Sequence, residues 1–313
     1  MIAHRYAAQF INDFYYRIQR LKGPALILFG FSTAAIALNT LIYQFPGNSF
    51  VRFNALPVMV FLFINLALLL PMLGIKIITK KIVLECLLFF LVCVLIILGA
   101  TAIQYTPFRP IDAHILAWEK AMHMNLLPMV IWTNHHPLIH LGLAQIYDLL
   151  ELEMIAFPLY AIALKQYDYL HEYFFLVLTT ACIGFIFYYF FPTTGPASNL
   201  PASHFAPEQL ATGQKFWQIH HYQQPTTTLG GMIVMPSFHV IWAWLNVYLI
   251  RFQPLYCALF AIINVLLTFA CVLLGWHYSL DIIGSFIILA IAFYIYKKPL
   301  SSRKQSEPDC FQQ

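Results

Sequence analysis

Two histidines and an aspartate near the C-terminal end of this 313-residue chain have the types and spacing for phosphoryl transfer. His277 and Asp281 are four residues apart, so a helix stacks them on one face. A carboxylate there can accept the proton of one ring nitrogen, which fixes the tautomer and leaves the other nitrogen the better nucleophile. His239 stands on a separate segment and could protonate a leaving oxygen as general acid. Two imidazoles, one of them braced, are what transfer through a phosphohistidine requires. Helix N-terminal amides around Ser237 and near His277 could help to hold the phosphate oxygens.

The elements that position these residues are apolar helices. A bilayer core about 30 Å thick needs roughly 20 apolar residues per helix. On that criterion spans are expected at 24–44, 56–78, 82–103, 138–160, 169–191, 234–250, 255–274 and 277–296. The fourth is interrupted by Gln145, Asp148, Glu151 and Glu153; the sixth is short and opens at Pro236. Before the first span, Phe10, Ile11, Phe14, Tyr15, Ile18 and Leu21 recur at helical spacing, as in an amphipathic helix lying in the interface. Three short motifs meet at helix ends on one side of this arrangement. They are Pro192-Thr193-Thr194-Gly195-Pro196, Pro236-Ser237-Phe238-His239 and Gly275-Trp276-His277-Tyr278-Ser279-Leu280-Asp281.

The basic residues orient the spans. With the N-terminus inside, Arg5, Arg17, Arg20, Lys22, Lys76, Lys80, Lys81, Lys165, Arg251, Lys297, Lys298, Arg303 and Lys304 fall on the inner side. Only Arg52, Arg109, Lys120 and Lys215 fall outside, a strong positive-inside bias. Both termini are then cytoplasmic, and the three motifs face the non-cytoplasmic side. Ten of the 12 histidines lie on that side too, all but His4 and His171.

Composition limits the alternatives. Hydrophobic residues make up 61% of the chain and charged residues 10%, against about 25% charged in an ordinary soluble domain. That excludes a soluble enzyme and a nucleic-acid binder, and makes the chain an integral membrane protein. The N-terminus opens polar, so no cleavable signal peptide is expected. Five of the six cysteines lie in apolar runs without CxxC spacing, as buried thiols would. The cluster Asn134, His135, His136 and His140 is read as interfacial polar residues rather than a metal site, and no metal or cofactor is expected. Asp148, Glu151 and Glu153, placed in the inner half of the fourth span, are either a proton or ion pathway or polar packing near the cytoplasmic edge.

The order Pro-Ser-x-His, then His-x-x-x-Asp, resembles the type 2 phosphatidic acid phosphatase superfamily. Within it, the three motifs are most similar to the branch of inositol phosphorylceramide synthase, an inositolphosphotransferase. The resemblance covers roughly the C-terminal 200 residues. It implies an all-α polytopic membrane enzyme of about eight transmembrane helices with a six-helix core at 82–297. An N-terminal segment, 1–80, would add two helices, and 298–313 would be a polar tail. It implies His277 as nucleophile, Asp281 as its orienting partner and His239 as acid. Ser237, Gly195, Thr194 and Lys215 are the candidates to hold the phosphate. The substrate would be a membrane lipid, with water or a second alcohol as acceptor, at the outer face of a plasma (inner) membrane. Phosphatase members carry a Lys-containing first motif ending in Arg-Pro, and an Arg six residues before the nucleophilic His. Here that position is Cys271, and Pro192 to Pro196 holds no cation. The missing cations tilt the expectation toward a singly charged diester head group, and they keep alive the alternative of a non-catalytic lipid-binding or transporter protein with the same fold.

Overall fold

The computed structural model describes residues 2–47, 77–227, 231 and 233–298. Ten helices carry the architecture. They are α1 (Ile2–Ala37), α2 (Ile77–Gln104), α3 (Asp112–Ala121), α4 (Leu126–Asn134), α5 (Pro137–Ala163) and α6 (Tyr167–Phe190). There follow α7 (Pro207–His220), α8 (Phe238–Leu249), α9 (Pro254–Leu273) and α10 (Ser279–Lys297). The protein is all-α in its described residues, and five helical stretches are long and apolar enough to cross a membrane. These are Ile18–Ile42, Lys81–Gln104, Tyr167–Phe190, Pro254–Leu273 and Ser279–Lys297.

The remaining expected spans differ for identifiable reasons. Helix α5 has the length, but Asp148, Glu151 and Glu153 break its apolar run. Helix α8, with the turn that extends it to Phe252, is apolar but shorter. The span expected at 56–78 and the polar tail after 298 lie outside the described residues. The N-terminal segment is not a separate helix ahead of the first span. Helix α1 runs unbroken from Ile2 through Pro24 to Ala37, because nothing before Gly23 interrupts helical hydrogen bonding.

Helix α6 is the central element: 78% of its apolar window is buried, against 28% for each of the other four spans. It packs against α1, α2, α8 and α10, while α5, α8 and α9 form a second group beside it. Buried polar pairs tie these helices together, as the low dielectric requires. His171 of α6 meets Glu85 of α2 at 2.6 Å, Asn264 of α9 donates to Glu153 of α5 at 3.0 Å, and Tyr173 donates to Asn246 of α8 at 3.0 Å. Glu153 is thus packed against polar neighbours.

The two ends of the bundle differ in chemistry. Where α6 begins and α8 and α10 end, Arg251 pairs with Glu172, Lys81 lies 4.3 Å from the Tyr167 ring centre, and Arg20 donates to the Tyr296 carbonyl at 2.7 Å. Where α6 ends and α8 and α10 begin, the three sequence motifs come together. The 19 residues of α10 separate these ends by roughly 28 Å.

Candidate active site

Cross-bracing hydrogen bonds bring the three motifs into one block. Met235 N–H donates to Thr193 Oγ1 at 3.0 Å, joining the first motif to the second. Ser285 Oγ donates to the Ser237 carbonyl at 3.0 Å, joining the second to the helix of the third. The first and third meet through Asp112 at the start of α3. Its Oδ1 accepts Thr194 N–H at 3.1 Å, Gly195 N–H at 2.9 Å and Tyr278 O–H at 2.9 Å, and its Oδ2 accepts Thr194 N–H at 2.9 Å. Burial pushes the Asp112 carboxyl up from its ordinary range, against the pull of these same donors.

His277 lies in the connection between α9 and α10. Gly275, at φ +80°, turns the chain out of α9 in a conformation that side-chain-bearing residues rarely adopt. A Cβ there would stand 2.8 Å from Phe205 Cε1, so glycine is required twice over. Asp281, in the first turn of α10, accepts Tyr278 N–H at 2.9 Å and faces His277 Nδ1 at 3.3 Å through the same Oδ2. Both side chains are buried. Burial holds the His277 ring down to about 4, with the Val234 carbonyl pulling the other way, so the imidazole is a free base at neutral pH.

His239 opens α8, one residue past Phe238, with Ser237 as the N-cap. Its ring centre is 5.9 Å from that of His277, and both rings line a cavity of about 360 Å³. Thr194 and Gly195 line it as well, with Tyr147 and Trp276 as its aromatic wall. Asp148 and Glu151 also face it rather than the opposite end of the bundle. Helix α5 starts well above the site, and Tyr147, ten residues in, is roughly 15 Å along its axis. Among the described residues, the charged side chains lining the cavity, apart from the histidines, are the carboxylates Asp148, Glu151 and Glu208.

The phosphate-binding candidates are placed differently from one another. Thr194 and Gly195 reach the cavity, but their N–H groups are engaged by Asp112. Ser237 is fully buried off the cavity; its Oγ accepts Val240 N–H at 3.4 Å and donates to Cys271 Sγ at 3.9 Å. Lys215 of α7 is buried one turn from Thr212, with Nζ donating to the Gly231 carbonyl at 2.7 Å behind the cavity wall. Burial draws its ammonium down to about 8. The amides near His277 are occupied too: Glu119 of α3 accepts Ser279 N–H at 2.5 Å and Leu280 N–H at 3.2 Å. Lys120 lines a second cavity, of about 610 Å³, along α3 and α4.

Among the described residues no three His, Cys, Asp or Glu side chains are grouped as a metal site. His136 instead bonds the Trp132 carbonyl at 2.7 Å and packs on the Trp132 ring. Sequence reasoning missed Asp112, Glu119 and Tyr147. The first two carried one signal, a seven-residue spacing that puts both on one face of a short helix.

No curated protein and no solved structure matches the chain. A family model described as the PAP2 superfamily matches residues 113–295, which takes in every motif residue described above. That match spans more than half of the sequence, and the chain therefore belongs to the PAP2 superfamily, the type 2 phosphatidic acid phosphatases, as a membrane-associated protein of hydrolase or transferase type.

Proposed function

We propose that this protein is a lipid head-group phosphotransferase or phosphatase working through a phosphohistidine. His277 Nε2 attacks phosphorus, the P–O ester bond breaks with its electron pair leaving on oxygen, and His239 supplies the proton to that oxygen. Asp281 holds the Nδ1 proton and stabilises the imidazolium that forms. Water or a second alcohol then attacks phosphorus, forming the new P–O bond and giving its proton to His239, while the P–N bond breaks with its electron pair returning to Nε2. The observation that carries the reading is the buried His277 ring and the half-buried His239 ring facing one cavity, the former braced by a carboxylate at 3.3 Å.

The charge of the cavity bears on the substrate. A phosphomonoester brings nearly two negative charges and relies on several cations for transition-state stabilisation. A wall whose fixed charges are Asp148, Glu151 and Glu208 supports a diester head group, with a single negative charge, over a monoester. On that ground the reading tilts toward head-group transfer, the activity of the inositolphosphotransferase branch that the motifs resemble. Positive-inside sorting supports a site on the non-cytoplasmic face of the membrane, since the motifs lie at the end of the bundle opposite Arg20, Lys81 and Arg251.

The test is turnover and trapping with purified protein in mixed micelles. Wild type offered a panel of labelled phospholipids should consume one class and form acid-labile phosphate on His277. His277→Ala should abolish both turnover and label, and His239→Ala should slow formation of the label. Retained turnover in His277→Ala refutes the phosphohistidine. The lack of a cation among the described lining residues also favours a second reading, a lipid carrier without catalysis, for which no lipid is consumed and no label forms.

A further inference from the structure

The two histidines are braced by different partners, and the difference matches the two jobs. His277 Nδ1 faces a carboxylate. His239 Nδ1 faces the hydroxyl of Tyr147 at 3.2 Å, and the two rings stack with centres 4.2 Å apart at 20°. The Tyr147 ring is in turn parallel to Trp276, with 5.6 Å between centres and 7° between planes. Tyr147 belongs to α5 and His239 to α8, which pack directly, so the imidazole is held by its edge and by one face.

We infer that Tyr147 is a positioning residue for the acid–base histidine, a role that rests on the phosphohistidine reading. The phenol oxygen accepts the Nδ1 proton of His239 in both halves of the cycle. Nε2, on the opposite edge of the ring, is then the nitrogen that gives its proton to the leaving oxygen and recovers one from the incoming water or alcohol. A carboxylate in the same place would favour the protonated ring and oppose release of the proton. A neutral phenol fixes ring and tautomer without that preference. The stack on Trp276 keeps the phenol from turning away.

The experiment is a leaving-group comparison. Tyr147→Phe deletes the hydroxyl and keeps the stack, so fold and cavity shape persist; the melting temperature of the full chain in micelles checks this. Two diesters of the phosphorylated head group that wild type consumes fastest are compared, one with a long-chain alkyl alcohol and one with p-nitrophenol as leaving group. The alkyl ester needs a proton on its departing oxygen; p-nitrophenolate does not. The expected result, read as the single-turnover rate of leaving-group release so that only the first half of the cycle is compared, is a loss of about 10- to 100-fold on the alkyl ester, part of the range for general acid catalysis, with the burst of p-nitrophenolate within about 3-fold of wild type. His239→Ala should show the same split, enlarged. Equal losses on both esters, or no loss on either, overturn the assignment of Tyr147. Full activity of His277→Ala, or wild type inert toward both esters, overturns the phosphohistidine reading beneath it.

Discussion

Removing the Asp112 carboxylate should loosen the first and third motifs together, and the geometry sets the size of the effect. Three donors converge on Oδ1, Oδ2 receives Thr194 N–H, and the Thr194 hydroxyl adds a side-chain bond to the carboxylate. Asp112→Asn can keep its carbonyl oxygen in the Oδ1 position and present its NH2 to Thr194. It then loses one charge-assisted bond, worth about 1–2 kcal/mol. Asp112→Ala strands the three Oδ1 donors at roughly 1–3 kcal/mol each when dry. Thr194 and Gly195 line the cavity, so water can reach their amides, whereas Tyr278 is fully buried. Its hydroxyl otherwise meets only Asn199 Nδ2, a donor, at 3.3 Å. The alanine variant should therefore lose about 3–4 kcal/mol of stability, and the asparagine variant less than half of that. Because Tyr278 adjoins His277, displacement of the nucleophile should also lower kcat by about 10²-fold in the alanine variant. Denaturant unfolding in mixed micelles, followed by tryptophan fluorescence, measures the first effect, and phospholipid turnover the second. Alanine and asparagine variants of equal stability, or an alanine variant within 0.5 kcal/mol of wild type by the roughly 1 kcal/mol scale of such bonds, would refute this account of the clamp.

Two further outcomes follow from the same site. Burial keeps His277 a free base down to about 4, so the attacking lone pair is lost only as protonation near 4 sets in, and any decline of kcat/KM toward higher pH reports loss of the proton that His239 donates. The same depression costs stability as pH falls from about 6.5 toward 4, because the unfolded chain takes up a proton there that the folded ring refuses. An ascending limb at pH 6.5 or above contradicts this. Gly184→Ala puts a Cβ 2.6 Å from Phe238 Cζ, next to His239, and should cost about 1–3 kcal/mol with a matching fall in kcat; wild-type turnover in that variant would show that α8 absorbs the shift.

Much of the bundle was legible because a membrane helix advertises itself by a continuous apolar run, and four of the recovered spans agree with expectation to within a few residues. The pairing of His277 with Asp281 was legible because it is local, although His277 stands in the turn before α10 rather than on the helix face that a spacing of four implies. Tyr147 was hidden in a helix whose conspicuous residues were acids. Asp148 and Glu151 were placed toward the end of the bundle away from the motifs because the depth of a cavity inside a bundle leaves no periodic trace. Asp112 and Glu119 were hidden for a different reason: their partners lie 82 to 166 residues away, and only folding brings those amides to them.

The buried carboxylates at the start of α10 have one more consequence. A helix N-terminus normally attracts an anion, yet here Asp281 and Glu119 already answer its free N–H groups, and Asp112 does the same for the turn at Thr194. The site is therefore assembled before any ligand arrives, with its own anions in place of the substrate's. A phosphate group gains nothing from these amides, so both added inorganic phosphate and the phosphorylated head group that hydrolysis of a diester would release should be feeble competitors, and turnover should run without clogging on product.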